Sequence, residues 1–417
     1  MRANKKAALH RHAFGEVVTV CAPRVLFVGL VLSLSGGVLA QISPTTVTAD
    51  DQPFFYPAPP EGFDSLNAMD SDLEKYGLPP RPSVASARYA EWANIVAKAK
   101  TRLPNPVARN TGFSHGAPQG GEFPPGKLGA STRSAVGGGT RSFYNWSGVN
   151  QLYSYPYFAQ DNNGYGSIVV GGWAHPSIGY ENCAYGPYKM WTWVGMDGSG
   201  TALAGNDDVL QAGFAAEACP TQHFAWYEWW TKGCTANSAA TPCSVWTVNL
   251  AVNPGDYLYV TVTYKPNAQF KGTAFLQNQS TGQYITIGYN QPPGPASSAY
   301  QGYSAEWIVE RPCPNAFSCT TYDNLTNYYL PNTPNNWFWL YPMYFTPQFY
   351  YTPAGADQSS TYDVISMYCT SNNWNPSNSC QPSRYISDAY YWGWDAQPPA
   401  GYGNYVLYFY VDGPAKQ

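Results

Sequence analysis

Charge is scarce in this chain. Only 12% of its 417 residues are Asp, Glu, Lys or Arg, and only five are His. A disordered chain shows many charges and few aromatics; here aromatics reach 16%. Basic residues are scarcest where most of the chain lies. Residues 142–417 carry seven Lys or Arg against sixteen Asp or Glu, a formal balance of −9. A surface without a basic stripe does not track a phosphate backbone, so nucleic acid is excluded as a partner. The same scarcity limits positive self-repulsion once acid neutralises the carboxylates, which suits work at low pH. Beyond residue 40 no run of eighteen apolar residues occurs, so no later membrane-spanning helix is expected.

Familiar catalytic arrangements are missing as well. There is no H-E-x-x-H and no D-T-G or D-S-G in the chain, and no G-x-S-x-G beyond residue 141. After residue 141 the only histidines are His175 and His223, both in loop-like or strand-edge sequence, so a Ser-His-Asp triad has little to draw on. No paired C-x-x-C is present, so no zinc site is expected. Cys21 precedes an apolar run; the other eight are Cys183, Cys219, Cys234, Cys243, Cys313, Cys319, Cys369 and Cys380. An even number in an exported chain points to disulfides, although sequence leaves their connectivity open. Short spacing favours Cys234–Cys243, Cys313–Cys319 and Cys369–Cys380, with Cys183–Cys219 left over. Cysteines used in this way leave no thiol nucleophile.

What is present falls into three parts. Arg2, Lys5, Lys6, Arg11 and Arg24 precede an apolar run from Val25 to Leu34, and Val38-Leu39-Ala40 follows. This is the pattern of a signal peptide over 1–40, and it predicts a secreted protein. Residues 41–141 read as a propeptide-like extension. A Pro-rich extended arm covers 41–82, one helix runs from Val84 to Lys100, and 103–140 is a Gly/Pro/Ser-rich linker. From Ser142 to the end the texture becomes short alternating runs separated by turn residues. They include Lys189–Gly195, Val209–Ala215, Phe224–Trp230, Val245–Val252, Tyr257–Tyr264, Gly272–Leu276, Gln283–Gly288, Ala305–Glu310 and Asn404–Val411. Turn sequences at Asn253–Asp256 and Asn278–Gly282 read as hairpin connections. The expected fold of 142–417 is all-β, a sandwich or barrel. Segments 150–190 and 313–350 look like expanded insertions.

Period-two alternation sorts the polar residues by face. Trp191, Trp193, Gly195 and Asp197 share one face of their run; Gln211 shares its face with Val209 and Gly213. Glu228 lies with Trp226 and Trp230, and Glu306 with Glu310. Four strands thus each offer a face of polar groups flanked by Trp or small residues.

The stretches Tyr144-Asn-Trp-Ser-Gly-Val149, Trp193-Val-Gly-Met-Asp-Gly198, Leu210-Gln-Ala-Gly-Phe214, Trp226-Tyr-Glu-Trp229 and Ala305-Glu-Trp-Ile-Val-Glu-Arg-Pro312 occur together and in this order. In this the chain resembles the glutamic peptidases, or eqolisins. The resemblance implies an antiparallel β-sandwich of jelly-roll or concanavalin-like form, and a secreted acid endopeptidase made with a propeptide and weakly inhibited by pepstatin. It implies Gln211 and Glu306 as the catalytic pair, Trp146 and Trp193 as aromatics lining the site, and Asp197, Glu228 and Glu310 as acidic residues beside or supporting it. The substrates would be polypeptides, met by a monomer with no metal, no organic cofactor and no lasting membrane association. The chain departs from the family at Ala215 and Phe224, where acidic residues occur in relatives, which leaves pH optimum and substrate preference open. Two other readings remain at this level. A carbohydrate-active sandwich would use Glu228 and Glu306 as an acid/base pair, and a peptidase-like binding protein would have lost activity.

Overall fold

The structure is a computed structural model. It describes residues 53–111 (except 83 and 86–88), 140–152 (except 144–145), 166–179, 188–198, 208–231 (except 219), 243–292, 300–310 and 312. For 324–325, 327–329, 343–351, 361–369, 384–392 and 406–411 it describes strand backbone alone. The signal-peptide reading, the stretch 112–139 and the side chains of the cysteines other than Cys243 lie outside what is described; Cys243 is disulfide-bonded.

The N-terminal elements are β1 (Phe54–Phe55), α1 (Asp70–Lys75), α2 (Tyr89–Lys98), β2 (Thr101–Arg102) and β3 (Ala108–Asn110). Then come β4 (Thr140–Phe143), β5 (Trp146–Leu152), β6 (Ser167–Ala174), β7 (Ser177–Gly179), β8 (Tyr188–Met196), β9 (Asp208–Ala218) and β10 (Gln222–Thr231). After these follow β11 (Trp246–Val248), β12 (Tyr257–Tyr264), β13 (Gly272–Asn278), β14 (Gln283–Tyr289) and β15 (Ser304–Glu310). The last are β16 (Asn324–Leu325), β17 (Asn327–Tyr329), β18 (Met343–Tyr351), β19 (Thr361–Cys369), β20 (Arg384–Trp392) and β21 (Val406–Val411).

Two antiparallel layers form the sandwich. One runs β11–β10–β9–β8–β15–β5, the other β14–β13–β12–β6. Ladders through β18 to β21 join them into one continuous hydrogen-bonded sheet. Between the layers alternation buries one side chain of every pair. Val194, Met196, Leu210, Ala212 and Phe214 face Val169, Trp173, Leu258, Val260, Leu276 and Ile285. The indole N–H of Trp307 on β15 crosses this core to donate to the Val170 carbonyl on β6 at 2.9 Å, so a buried polar group is satisfied across it.

Strand β6 lies inside the segment 150–190 that the sequence marks as an insertion. It is a central strand, buried along nearly its whole length. A strand covered on both faces shows no alternation, and Ser-Ile-Val-Val-Gly-Gly-Trp-Ala has none. The Asn253–Asp256 turn is also corrected: β11 and β12 belong to different layers, so this turn crosses between them rather than closing a hairpin. The Asn278–Gly282 turn does close one, between β13 and β14. Asn278 is fully buried. Its amide donates to Asp256 and Ala251, and its carbonyl accepts from the amides of Ser280 and Thr281.

The extension is not merely an arm and a linker. Helix α2 buries Trp92, Ile95 and Val96, an i, i+3, i+4 stripe, on Ile168, Val170, Tyr259, Phe275 and Tyr284 of the outer face of the second layer. Gln277 on that face donates to the Ile95 carbonyl at 3.0 Å. A second helix, α1, lies where the sequence reads as an extended arm. Of its six residues only Leu73 is buried, too few for a periodic signal. Strands β1 and β2 pair with β14, and β3 pairs with β11 within the supposed linker. Residues 53–111 therefore add a third layer and hydrogen-bond to an edge of each sheet.

Candidate active site

In an antiparallel sheet, directly opposite residues point to the same face. Glu228 pairs with Gln211, Gln211 with Gly195, Gly195 with Glu306, and Glu306 with Asn150. These five residues form one row across β10, β9, β8, β15 and β5, on the outer face of the first layer. All the side chains in the row are completely buried. The next rows along the same face hold Trp226, Gly213, Trp193 and Ile308, then Phe224, Ala215, Trp191, Glu310 and Trp146.

The backbone spacing of about 4.8 Å per strand puts Gln211 and Glu306 roughly 10 Å apart, with Gly195 between them. A Cβ on Gly195 would meet the Trp193 ring at 2.9 Å, the Leu210 carbonyl at 3.1 Å and the Gln211 Cβ at 3.3 Å. Glycine thus keeps the space between the two side chains open. The Gln211 Nε2 donates to Glu228 Oε2 at 2.9 Å. Its carbonyl Oε1 is buried without a hydrogen-bond partner. A primary amide carries two N–H donors, so the bond to Glu228 fixes the amide plane and leaves one donor for another group.

The other expected residues sit around this row. Trp193 donates its indole N–H to Glu310 Oε2 at 2.9 Å and packs edge-on to Trp146 with ring centroids 4.8 Å apart. Asp197 stands one pair beyond Gly195 with φ +67°. Its Oδ2 accepts from the amides of Gln301 and Gly302 at 2.7 and 2.8 Å. That clamps the turn leading into β15, and so the approach to Glu306. Asp197 is also hydrogen-bonded to Asp208; burial pushes its carboxyl up, against the lowering effect of these bonds. Tyr300 lies beside them, stacked on Tyr264 at 3.9 Å. Burial, with Asp197 and Asp208 next, holds its hydroxyl well above the usual value.

Two members of this arrangement were not singled out by sequence. Asn150 extends the row beside Glu306, and alternation from Trp146 through Gly148 is the signal that places it there. Asp208 follows Asn206-Asp207 in a polar run, and no pattern distinguishes it. The two histidines lie elsewhere: His175 Nε2 and His223 Nδ1 meet at 2.9 Å where the ends of the layers join. Among the described residues no group of three or more His, Cys, Asp or Glu is placed to hold a metal ion.

Glu228, the other carboxylate of the carbohydrate-active reading, stands three strand spacings from Glu306 along the row, roughly 14 Å between backbones. Glu228 is moreover bonded to Gln211.

Residues 144–332 match the model of the Peptidase A4 family. No curated protein matches the chain. Among solved structures the chain is similar to scytalido-glutamic peptidase with a transition state analog inhibitor, at 18% identity over 64% of this chain and 98% of that one, TM-score 0.39. It is similar to aspergilloglutamic peptidase from Aspergillus niger at 21% identity over 54% of this chain and 99% of that one, TM-score 0.28. The enzymatically active domain of bacteriophage CBA120 tailspike protein 2 is similar at 12% identity, over 60% and 29%, TM-score 0.26. The segment 144–332 contains β5 to β17, so the whole row lies within the part of the chain that is similar to the Peptidase A4 family.

Proposed function

We propose that the chain is exported and cleaves internal peptide bonds of polypeptides in acid, with Glu306 as general base and acid and Gln211 as oxyanion donor. The observation that carries this reading is the row itself. The amide and the carboxylate project from one face with a glycine between them, and the amide is oriented by Glu228.

Glu306 takes a proton from a water as the water oxygen attacks the peptide carbonyl carbon. The remaining N–H of Gln211 donates to the developing oxyanion, while its Oε1 accepts from the attacking water. Glu306 then returns the proton to the leaving nitrogen, the C–N bond breaks, and a carboxylic acid and an amine result. Glutamate has an ordinary pKa of about 4.3 and is a competent base in mild acid. Gln211 does not titrate, so its donor works at any pH. Asp197 beside the row, its carboxyl raised by burial, keeps its proton further up the pH scale than an ordinary Asp. Burial closes the row to solvent, so substrate entry requires this face to open. The basic leader and Val38-Leu39-Ala40 support export.

The test is cleavage of a denatured protein between about pH 2 and 7, across the Glu reference, with pepstatin present, by the acidified full chain. Glu306→Gln and Gln211→Ala are assayed in parallel. Acid proteolysis that both substitutions abolish in folded protein is the expected result. Full activity in either variant overturns the assignment.

A further inference from the structure

The face that carries the row continues toward the opposite end of its strands, where it opens into a cavity of about 720 Å³. Its walls come from three separate parts of the chain. Lys189, Trp191, Glu217 and Phe224 belong to the sheet, Thr247 and Asn249 to the segment through β11, and Arg109 to β3 of the extension. Trp191 and Phe224 are two pairs beyond the Gln211–Glu306 row, and Glu217 and Lys189 three pairs beyond. At about 3.3 Å per residue the cavity lies some 13–20 Å from the row. An extended polypeptide cleaved at the row would reach it four to six residues from the scissile bond.

Its charge is lopsided. Both oxygens of Glu217 are occupied: Oε1 accepts from the Trp191 indole at 2.8 Å and faces Lys189 Nζ at 3.8 Å, and Oε2 accepts from Gln222. Arg109 has no ion-pair partner among the described residues and projects from an exposed position on β3. The cavity thus offers a free guanidinium on one wall and a spent carboxylate on the other. A guanidinium binds a carboxylate through two parallel hydrogen bonds.

We propose that this cavity is an accessory subsite that binds a carboxylate of the substrate polypeptide four to six residues from the scissile bond, with Arg109 as its anchor. It rests on the peptidase reading, and it makes the extension, paired with both layers, part of substrate recognition rather than a segment shed before cleavage. A C-terminal carboxylate and an acidic side chain present the same chemistry.

The test uses the full chain in the state that cleaves peptides. A peptide series keeps one central sequence and moves a single Glu, or its Gln counterpart, from three to seven residues away on either side. A second series ends in a free or an amidated C-terminus at the same positions. One spacing window is expected to raise kcat/KM about 3–10-fold over the Gln or amidated control, mainly through KM, as for an exposed charge-assisted contact. In Arg109→Gln the Glu-to-Gln ratio should fall to one, and in Arg109→Glu a Lys at that position should become the better substrate. A wild-type chain that cleaves the series with no spacing preference, or an undiminished ratio in Arg109→Gln, overturns the subsite and leaves the peptidase reading standing. Failure to cleave any peptide overturns both.

Discussion

Replacing Glu228 by Gln changes the row at one atom and tests whether the orientation of Gln211 matters. The wild-type contact is a 2.9 Å bond from an amide to a buried carboxylate, worth about 1.5–3 kcal/mol net, against about 0.5–1.5 for a neutral pair. The substitution conserves volume, so packing is nearly unchanged. It removes the charge, and it offers Gln211 a partner that can donate as well as accept. Gln211 is then free to turn its carbonyl toward residue 228, which moves its donor and acceptor away from the places the reaction requires. If the difference of about 1–1.5 kcal/mol is expressed in the transition state, kcat falls about 5–10-fold with little change in KM. The ceiling is Gln211→Ala, where loss of the donor costs about 10²–10³-fold. Glu228→Ala should do more damage to the fold, since a buried donor left unpaired costs about 1–3 kcal/mol. The assay is kcat and KM on one peptide, with thermal unfolding of each variant to confirm the folded fraction. Glu228→Gln at wild-type kcat, beside a hundredfold loss in Gln211→Ala, would refute the positioning role. A loss under tenfold in Gln211→Ala would refute the oxyanion role itself.

Three further outcomes are expected. Asp197 is raised from 3.8 chiefly by burial, so its contribution to stability is complete in acid and declines as pH rises past 3.8 toward the raised value; Asp197→Asn should flatten the neutral-side fall in Tm. His175 is lowered well below 6.5 by burial and then by His223, and His223 is lowered by burial. Their contribution is intact above about 6.5 and declines as pH drops below it, so His175→Gln should lose less Tm between pH 7 and 4 than the wild type. Gly195→Ala puts a Cβ 2.9 Å from the Trp193 ring and 3.3 Å from the Gln211 Cβ, which should cost about 1–3 kcal/mol by overpacking in denaturant unfolding and depress kcat as Gln211 shifts.

Strands whose residues alternate between apolar and polar or small were legible. Tyr257–Tyr264 has the same limits in sequence and structure, and β8, β9, β10, β14 and β15 differ by a few residues at their ends. Alternation also placed Gln211, Glu228, Gly195 and Glu306 each on a face of its own strand. It did not reveal that these faces line up, because register between distant strands leaves no trace in local pattern. The structure supplies that alignment through the β10–β9–β8–β15 ladders. Strand β6 was obscured because Ser-Ile-Val-Val-Gly-Gly-Trp-Ala does not alternate, and α1 because a two-turn helix with one buried leucine has no period to detect. The Asp197–Asp208 contact joins residues from two strand ends, and nothing local couples them.

The anchoring of the extension has a consequence for how the chain reaches its native state. Phe54 pairs with Gly288 and Arg102 with Tyr284, partners made roughly 180–230 residues later. During synthesis β1 and β2 therefore cannot pair until β14 has emerged. Such high contact order predicts slow folding, and the docking face of the Trp92, Ile95 and Val96 stripe is complete only when Tyr284 on β14 is in place. Once the β1, β2 and β3 pairings form, both layers have lost a free edge on that side, and with it a template for joining another chain. The segment made first is among the last to settle, and when it does it protects the finished sandwich from association.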